Sequence, residues 1–277
     1  MLSKSYIARC AQLAMILEVS ATPKPGNVDR DHDYKDTIYE HFLASAVGVY
    51  PILEQACYKE KGIGYFIKNA VFESSKWQNG GNTHFGTFLL LIPLCMAGGN
   101  REIAEKIIKN SSVQDAIDLY KAFSYTQVRV KERKVLDVTN PNSIFQLKSL
   151  NITFYDLMKI SADYDMIAQE LVNGFPISEK CANRIMEKVQ NGTNINDAIV
   201  FTFIETLSEN PDTFIQTKFN KEKAIEVSML ALQLKNKNIK AIRKFDEKLI
   251  KEKINPGSTA DIIIAGLFIA LLKGLKV

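Results

Sequence analysis

No Cys-x-x-Cys pair occurs in the 277 residues: Cys10, Cys57, Cys95 and Cys181 stand far apart. That spacing supplies neither the paired thiolates of a zinc site nor a disulfide framework. Three of the four sit within apolar helical patterns, where a thiol packs as a small hydrophobe. Histidine is scarcer still, with three residues in the whole chain. Runs of one charge sign are missing too, since 35 Lys and Arg are scattered among 31 Asp and Glu. The longest basic stretch, 235–253, alternates in sign through Asp246 and Glu247 and reads as a solvated helix face. Aromatics do not interleave with basic patches, so the stacking platform of a single-strand binder is absent and no nucleic-acid partner is expected.

Long apolar runs are lacking as well. The longest, 262–272, covers eleven residues, roughly half of what a bilayer span needs. The first residues pass straight into an amphipathic pattern without the apolar block of a signal peptide. A cytoplasmic protein with no membrane partner is the expectation. Alternating strand patterns are rare, and only 128–138 reads as a short extended piece.

What is present is helix. Ile7, Cys10, Ala11, Ala14, Leu17 and Glu18 lay a stripe on a first helix ending near Ser20, and Phe42, Ala46, Val49, Leu53 and Ala56 lay one on a second. The same periodicity predicts helices over 64–76, 84–97, 102–110, 113–125, 154–173, 178–190, 194–208, 221–235, 240–251 and 259–273. Gly174 and Gly192 fall where helices should stop, and Ser258 stands three residues before Asp261 as in a capping box. No repeat or Gly/Ser/Pro linker divides the chain. One all-α domain over 1–277, a bundle of about a dozen helices with polar loops converging on one site, is therefore expected. Nothing in the composition opposes a homo-oligomer.

Three polar loops interrupt this scaffold. The first, Thr22-Pro-Lys-Pro-Gly-Asn27, is a rigid turn in which two prolines fix φ and Gly26 lets the backbone reverse. Lys24 is a point cation there, suited to phosphate oxygens. Asp29, Asp31, Asp33 and Asp36 follow at once with Arg30 and His32, and carboxylates that close need solvent, Arg or a divalent cation between them. Asp29, Asp31, Asp33 and Glu40 match EF-hand positions, but Tyr34 occupies the place where that loop demands glycine. In the second loop, Asn79-Gly-Gly-Asn-Thr-His84 opens a helix, whose free N–H groups favour an anion. The third, Asn255-Pro-Gly-Ser-Thr259, precedes a helix that carries Asp261.

Together these segments resemble the triphosphoribosyl-dephospho-CoA synthase family, which makes the precursor of the citrate lyase prosthetic group. The resemblance rests on Glu18-Val-Ser-Ala-Thr-Pro-Lys-Pro-Gly-Asn-Val-Asp-Arg30 with His32 and Asp33, on Phe42-Leu-Ala-Ser45 and on Asn82-Thr-His84 with Gly86. Pro211-Asp-Thr213 and Gly257-Ser-Thr-Ala-Asp261 extend it to the last helix. It implies a largely helical transferase that moves the ribosyl triphosphate of ATP to a hydroxyl of a coenzyme precursor, such as dephospho-CoA, and expels adenine. Phe85 stands where those enzymes carry a lysine, which exchanges a phosphate contact for a stacking surface and points towards an acceptor other than dephospho-CoA.

The implied chemistry suggests roles. Displacing adenine needs one group to protonate the departing base and another to deprotonate the hydroxyl. His32, Asp33 and His84 are the catalytic candidates. Lys24, Gly26, Arg30, Asn82, Thr83, Gly86, Gly257, Ser258 and Thr259 would hold the nucleotide and its phosphates, with Asp29, Asp33, Asp36 and Asp261 on Mg²⁺. Asp163, Asp165 and Glu170 form a further acidic group that either faces the site or lies on a solvated helix face. Two other readings stand beside the transferase. One is a metal-dependent hydrolase of ribosyl bonds, resembling ADP-ribosyl-glycohydrolases; the other is a helical nucleotide-binding protein without turnover.

Overall fold

The computed structural model describes residues 2–81, 83–125, 140, 142–235 and 237–277. The extended reading at 128–138 and the candidate Asn82 lie outside them. Among the described residues the protein is all-α, with sixteen helices. In chain order they are α1 (Lys4–Ser20), α2 (Tyr39–Gly48), α3 (Tyr50–Ala56), α4 (Ile63–Trp77), α5 (Phe85–Met96), α6 (Arg101–Lys109), α7 (Val113–Phe123) and α8 (Ser143–Ser149). The second half holds α9 (Phe154–Ser161), α10 (Met166–Asn173), α11 (Pro176–Gln190), α12 (Ile195–Glu209), α13 (Thr213–Lys218), α14 (Lys221–Leu234), α15 (Ile239–Lys251) and α16 (Gly257–Leu272).

The count exceeds a dozen because two predicted helices divide and two short ones emerge. The helix expected through Phe42 and Ala56 breaks at Val49, since Pro51 cannot continue an i→i−4 ladder and sits instead in the first turn of α3. The helix expected over 154–173 breaks where Asp165 caps a new start, accepting from the amides of Ile167 and Ala168. Helices α8 and α13 are too short to show a periodic stripe. Gly174 ends α10 in the left-handed conformation and Gly192 follows α11 at φ 88°, as their positions implied. Ser258 does not form the expected capping box. Helix α16 begins at Gly257 behind Pro256, and Ser258 already lies inside it.

Helix α16 is apolar nearly all round, so it can only be central. Ile262 to Leu271 are buried without a gap, and the helix packs against α1, α5, α11 and α12. Burying each of its Ile, Leu and Phe side chains contributes roughly 1.5–3 kcal/mol. One continuous apolar cluster joins this helix to α4, α7, α9 and α10. Among the described residues no helix is long and apolar enough to cross a membrane. The first turns of α5 and α16 lie side by side: a Cβ on Gly86 would come within 2.2 Å of Asp261 Oδ2. Two of the three polar loops therefore meet at one point, and the third, residues 21–38, closes on them.

Candidate active site

Where these loops meet lies a cavity of about 600 Å³. Part of its wall is polar, formed by Glu18, Lys24, His84, Ser258 and Asp261, and part is apolar, formed by Phe85, Leu119, Phe123, Met158 and Ile160. Phe85 and Phe123 pack with ring centroids 4.7 Å apart at 40°. The aromatic surface read from position 85 thus belongs to the cavity. Asp36, Thr83, Gly86 and Gly257 also border it.

The first loop is built differently from its sequence reading. Lys24 is almost wholly buried, and its ammonium reaches Glu18 Oε1 at 2.7 Å and the Val28 carbonyl at 3.2 Å. Its charge is therefore already matched by a carboxylate on α1, although the pair borders the cavity. Burial pushes the Glu18 carboxyl up while the Lys24 ammonium pulls it back. Gly26 turns at φ 75° with its N–H given to Asp246 Oδ1, and a Cβ there would strike the Ile254 carbonyl. Gly26 thus packs on the chain after α15 and does not border the cavity.

The aspartates of that loop are not one cluster. Asp29 is buried and accepts from the amides of Lys24, Asp31 and His32. Asp33 is exposed and accepts from the Tyr39 amide at 2.8 Å, at the start of α2. Asp31 pairs with Arg243 and accepts from Thr22. Only Asp36 of the four stands at the cavity. Arg30 is exposed and donates to Asn196 Oδ1 at 3.3 Å. His32 points its ring at Asp246 Oδ2, 2.9 Å away, rather than into the cavity.

His84 does face the cavity. Ser74 Oγ donates to Ser45 Oγ at 2.7 Å, so the Ser45 proton is free for His84 Nδ1 at 2.8 Å. The ring proton then sits on Nε2, a buried atom with no partner among the described residues. Phe42 meets the ring edge-on at 5.0 Å. Burial, with Lys24 nearby, pulls the imidazole down to about 3, so it remains neutral. His84 therefore presents a neutral ring with its Nε2–H buried at the cavity wall. Ser45 is the residue that holds it.

Asp261 occupies the opposite protonation state from an ordinary carboxylate. It accepts from Thr87 Oγ1, and burial pushes it up to about 8, with the Glu18 and Asp212 charges adding to the rise. It is a neutral acid near neutral pH. Behind it, Thr259 is fully buried and gives both its amide and its hydroxyl to Asp212 Oδ2, each at 2.7 Å. The other oxygen of Asp212 caps α13 through Phe214 and Ile215. Ser258 borders the cavity and contacts Thr213 Oγ1 at 3.2 Å. The acidic group of the second half disperses: Asp165 caps α10 at the cavity, Glu170 is buried under the start of α11, and Asp163 is exposed.

Sequence reasoning gave no role to Asp246 or to Asp212, although Asp212 stood in the Pro211-Asp-Thr213 segment of the resemblance. Asp246 looked like part of a solvated mixed-charge run. Yet it lies one turn from Ile242 and Leu249 on the apolar stripe of α15, and that register carries it inward. Burial pushes it up to about 6, with the Gly26 amide and His32 opposing. For Asp212 the signal was local, an Asp directly before a helix start.

Known proteins share this architecture. A protein from Archaeoglobus fulgidus, described as a triphosphoribosyl-dephospho-CoA synthase, superposes with a TM-score of 0.71 at 27% identity, over 84% of this chain and all of that one. A 2-(5''-triphosphoribosyl)-3'-dephosphocoenzyme-A synthase from Haemophilus ducreyi is 23% identical over 95% of this chain and 87% of its own. A relative of the same description from Albidiferax ferrireducens is 22% identical over 97% and 91%. The sequence profile of the ATP:dephospho-CoA triphosphoribosyl transferase family matches residues 4–277. The cavity, the helical frame and the three loops thus sit in a chain that belongs to the ATP:dephospho-CoA triphosphoribosyl transferase family and is a transferase.

Proposed function

We propose that the cavity binds ATP beside a dephospho-CoA-type acceptor and joins the acceptor hydroxyl to the ribose of ATP. The C1′–N9 bond breaks, an O–C1′ bond forms, and the triphosphate stays on the ribose. The adenine needs a proton as it leaves, and Asp261, protonated at neutral pH, supplies it. Glu18, a second carboxyl close enough to raise Asp261 by its charge, takes the hydroxyl proton. One carboxyl to give a proton and a second to take one are what such a displacement requires. Burial raises both here, and the Lys24 ammonium draws Glu18 back towards its charged form. The single observation carrying this reading is the placement of the Asp261 carboxyl, held by Thr87, in a cavity shared with Glu18. His84 Nε2–H orients an acceptor atom of the nucleotide.

The residues expected to hold Mg²⁺ do not fit one ion bound to a triphosphate in the cavity. Asp29 lies outside the cavity, and the exposed Asp33 accepts from the Tyr39 amide at the start of α2. Only Asp36 and Asp261 of that set border the cavity.

Incubation with Mg-ATP and dephospho-CoA, followed by chromatography and mass spectrometry, tests the reading. Free adenine should appear in step with a product carrying the acceptor plus ribosyl triphosphate. Ribosyl triphosphate and adenine formed without acceptor would point to the hydrolase. ADP or pyrophosphate as the main product would overturn the ribosyl transfer. An acceptor other than dephospho-CoA that reacts faster would locate the role of Phe85.

A further inference from the structure

Outside the cavity, the turn after α1 and the buried face of α15 bring Asp29, His32 and Asp246 together. One ligand-type atom from each lies within 4.8 Å of the other two. His32 Nδ1 is 2.9 Å from Asp246 Oδ2 and 4.0 Å from Asp29 Oδ1. The short contact lacks hydrogen-bond geometry, and both atoms are buried without any hydrogen-bond partner among the described residues. The Asp246 side chain is 0% exposed. A fully buried carboxylate oxygen with one ion-pair contact and no hydrogen bond is costly and calls for a ligand. Every other oxygen of the two aspartates is held by backbone: Asp246 Oδ1 by the Gly26 amide, Asp29 Oδ2 by Lys24, and Asp29 Oδ1 by Asp31 and His32. Those amides orient the carboxylates, as outer-shell partners do around metals.

We propose that Asp29, His32 and Asp246 bind one divalent transition-metal ion of the Zn²⁺ or Mn²⁺ type. Two donors each about 2.1 Å from an ion lie roughly 3.0–3.4 Å apart for right-angle to tetrahedral arrangements, close to the 2.9 Å between His32 Nδ1 and Asp246 Oδ2. Asp29 Oδ1, 4.0 Å from His32, stands outside that range and reaches the ion through a water. An imidazole in the set favours such an ion over Mg²⁺ or Ca²⁺, which prefer oxygen alone. His32 is 27% exposed, so water can complete the coordination from that side. The ion ties the first loop to a helix more than 200 positions further along the chain, as does the Gly26–Asp246 bond with its separation of 220. Lys24, Asn27 and Val28 of that loop border the cavity, so the ion fixes a cavity wall without touching the reacting atoms.

Metal analysis and calorimetry on chelator-stripped protein test it. Zn²⁺ or Mn²⁺ should bind with a stoichiometry of one per chain, about 100-fold more tightly than Mg²⁺. His32→Ala and Asp246→Asn should each weaken binding by at least about 10-fold, while Asp163→Ala, on an exposed residue, should leave it unchanged. Absence of stoichiometric binding, or equal binding in both ligand variants, overturns the proposal. If the variants fail to fold, NMR of the wild type decides. Zn²⁺ must perturb the ring signals of His32 and spare those of His41 and His84; any other outcome overturns it.

Discussion

Asp261 and His84 have their protonation states reversed from habit. The carboxyl is neutral because burial raises it against the opposing Thr87 hydrogen bond, and the imidazole is neutral because burial, with the Lys24 charge nearby, lowers it. If Asp261 is the acid that protonates adenine, Asp261→Asn should lower kcat by about 100-fold, since general acid catalysis contributes 10²–10⁴. The same assignment sets a pH profile. The active form loses its proton as pH rises through about 8, so wild-type turnover should decline on the alkaline side. Adenine release measured from about pH 6 to about pH 9 checks both points. A wild-type rate that keeps climbing past that range would remove Asp261 from the role.

Helix starts are the elements on which the site depends. Asp212 alone serves two of them, capping α13 with one oxygen and holding the first turn of α16 through Thr259 with the other. Asp212→Ala should therefore cost about 2 kcal/mol, a lost cap plus an unsatisfied buried amide and hydroxyl. Urea unfolding gives the number, and an unchanged midpoint would show that the two helices are anchored elsewhere. These starts were largely legible beforehand. The starts read from periodicity at 102, 113, 194 and 240 fall within one residue of α6, α7, α12 and α15, where Asn100, Ser112, Asn194 and Asn238 cap the helices through contacts between near neighbours. The division of 154–173 escaped notice because a continuous apolar pattern conceals a break that a single Asp165 cap creates.

At the scale of the molecule, buried acids should shape stability against pH. Asp261 and Asp212 have folded values of about 8 and about 6, above the ordinary carboxylate range. The folded protein then holds protons that the unfolded chain has released, so their effect is a loss of stability as pH rises from about 4 to about 8. Glu209 acts in the other direction. The Arg184 guanidinium at 2.6 Å, helped by Lys180 and Lys235, holds it well below the usual range. Its contribution is present above about pH 4 and disappears in stronger acid. Thermal midpoints should accordingly be highest in mild acid and fall towards about pH 9, with Asp261→Asn flattening the alkaline fall. A midpoint rising steadily across that range would contradict the buried-acid account.

By itself the sequence determined the helical class, most helix boundaries, the three polar loops and the family they resemble. Each of these rests on spacing of a few residues, where periodicity, caps and turn chemistry act. It also marked Lys24, His84 and Asp261 as unusual residues. Tertiary structure alone decided what they do. Asp29, Asp33 and Asp36 are neighbours in sequence but stand apart in the fold: Asp29 is buried against backbone amides, Asp33 accepts from the start of α2, and only Asp36 borders the cavity. Lys24 lost its freedom to Glu18 on the preceding helix, and Asp29 and His32 met Asp246 from the far end of the chain. Proton affinity and ligand sets depend on desolvation and on charges brought close by packing, and those distances exist only once the chain has folded.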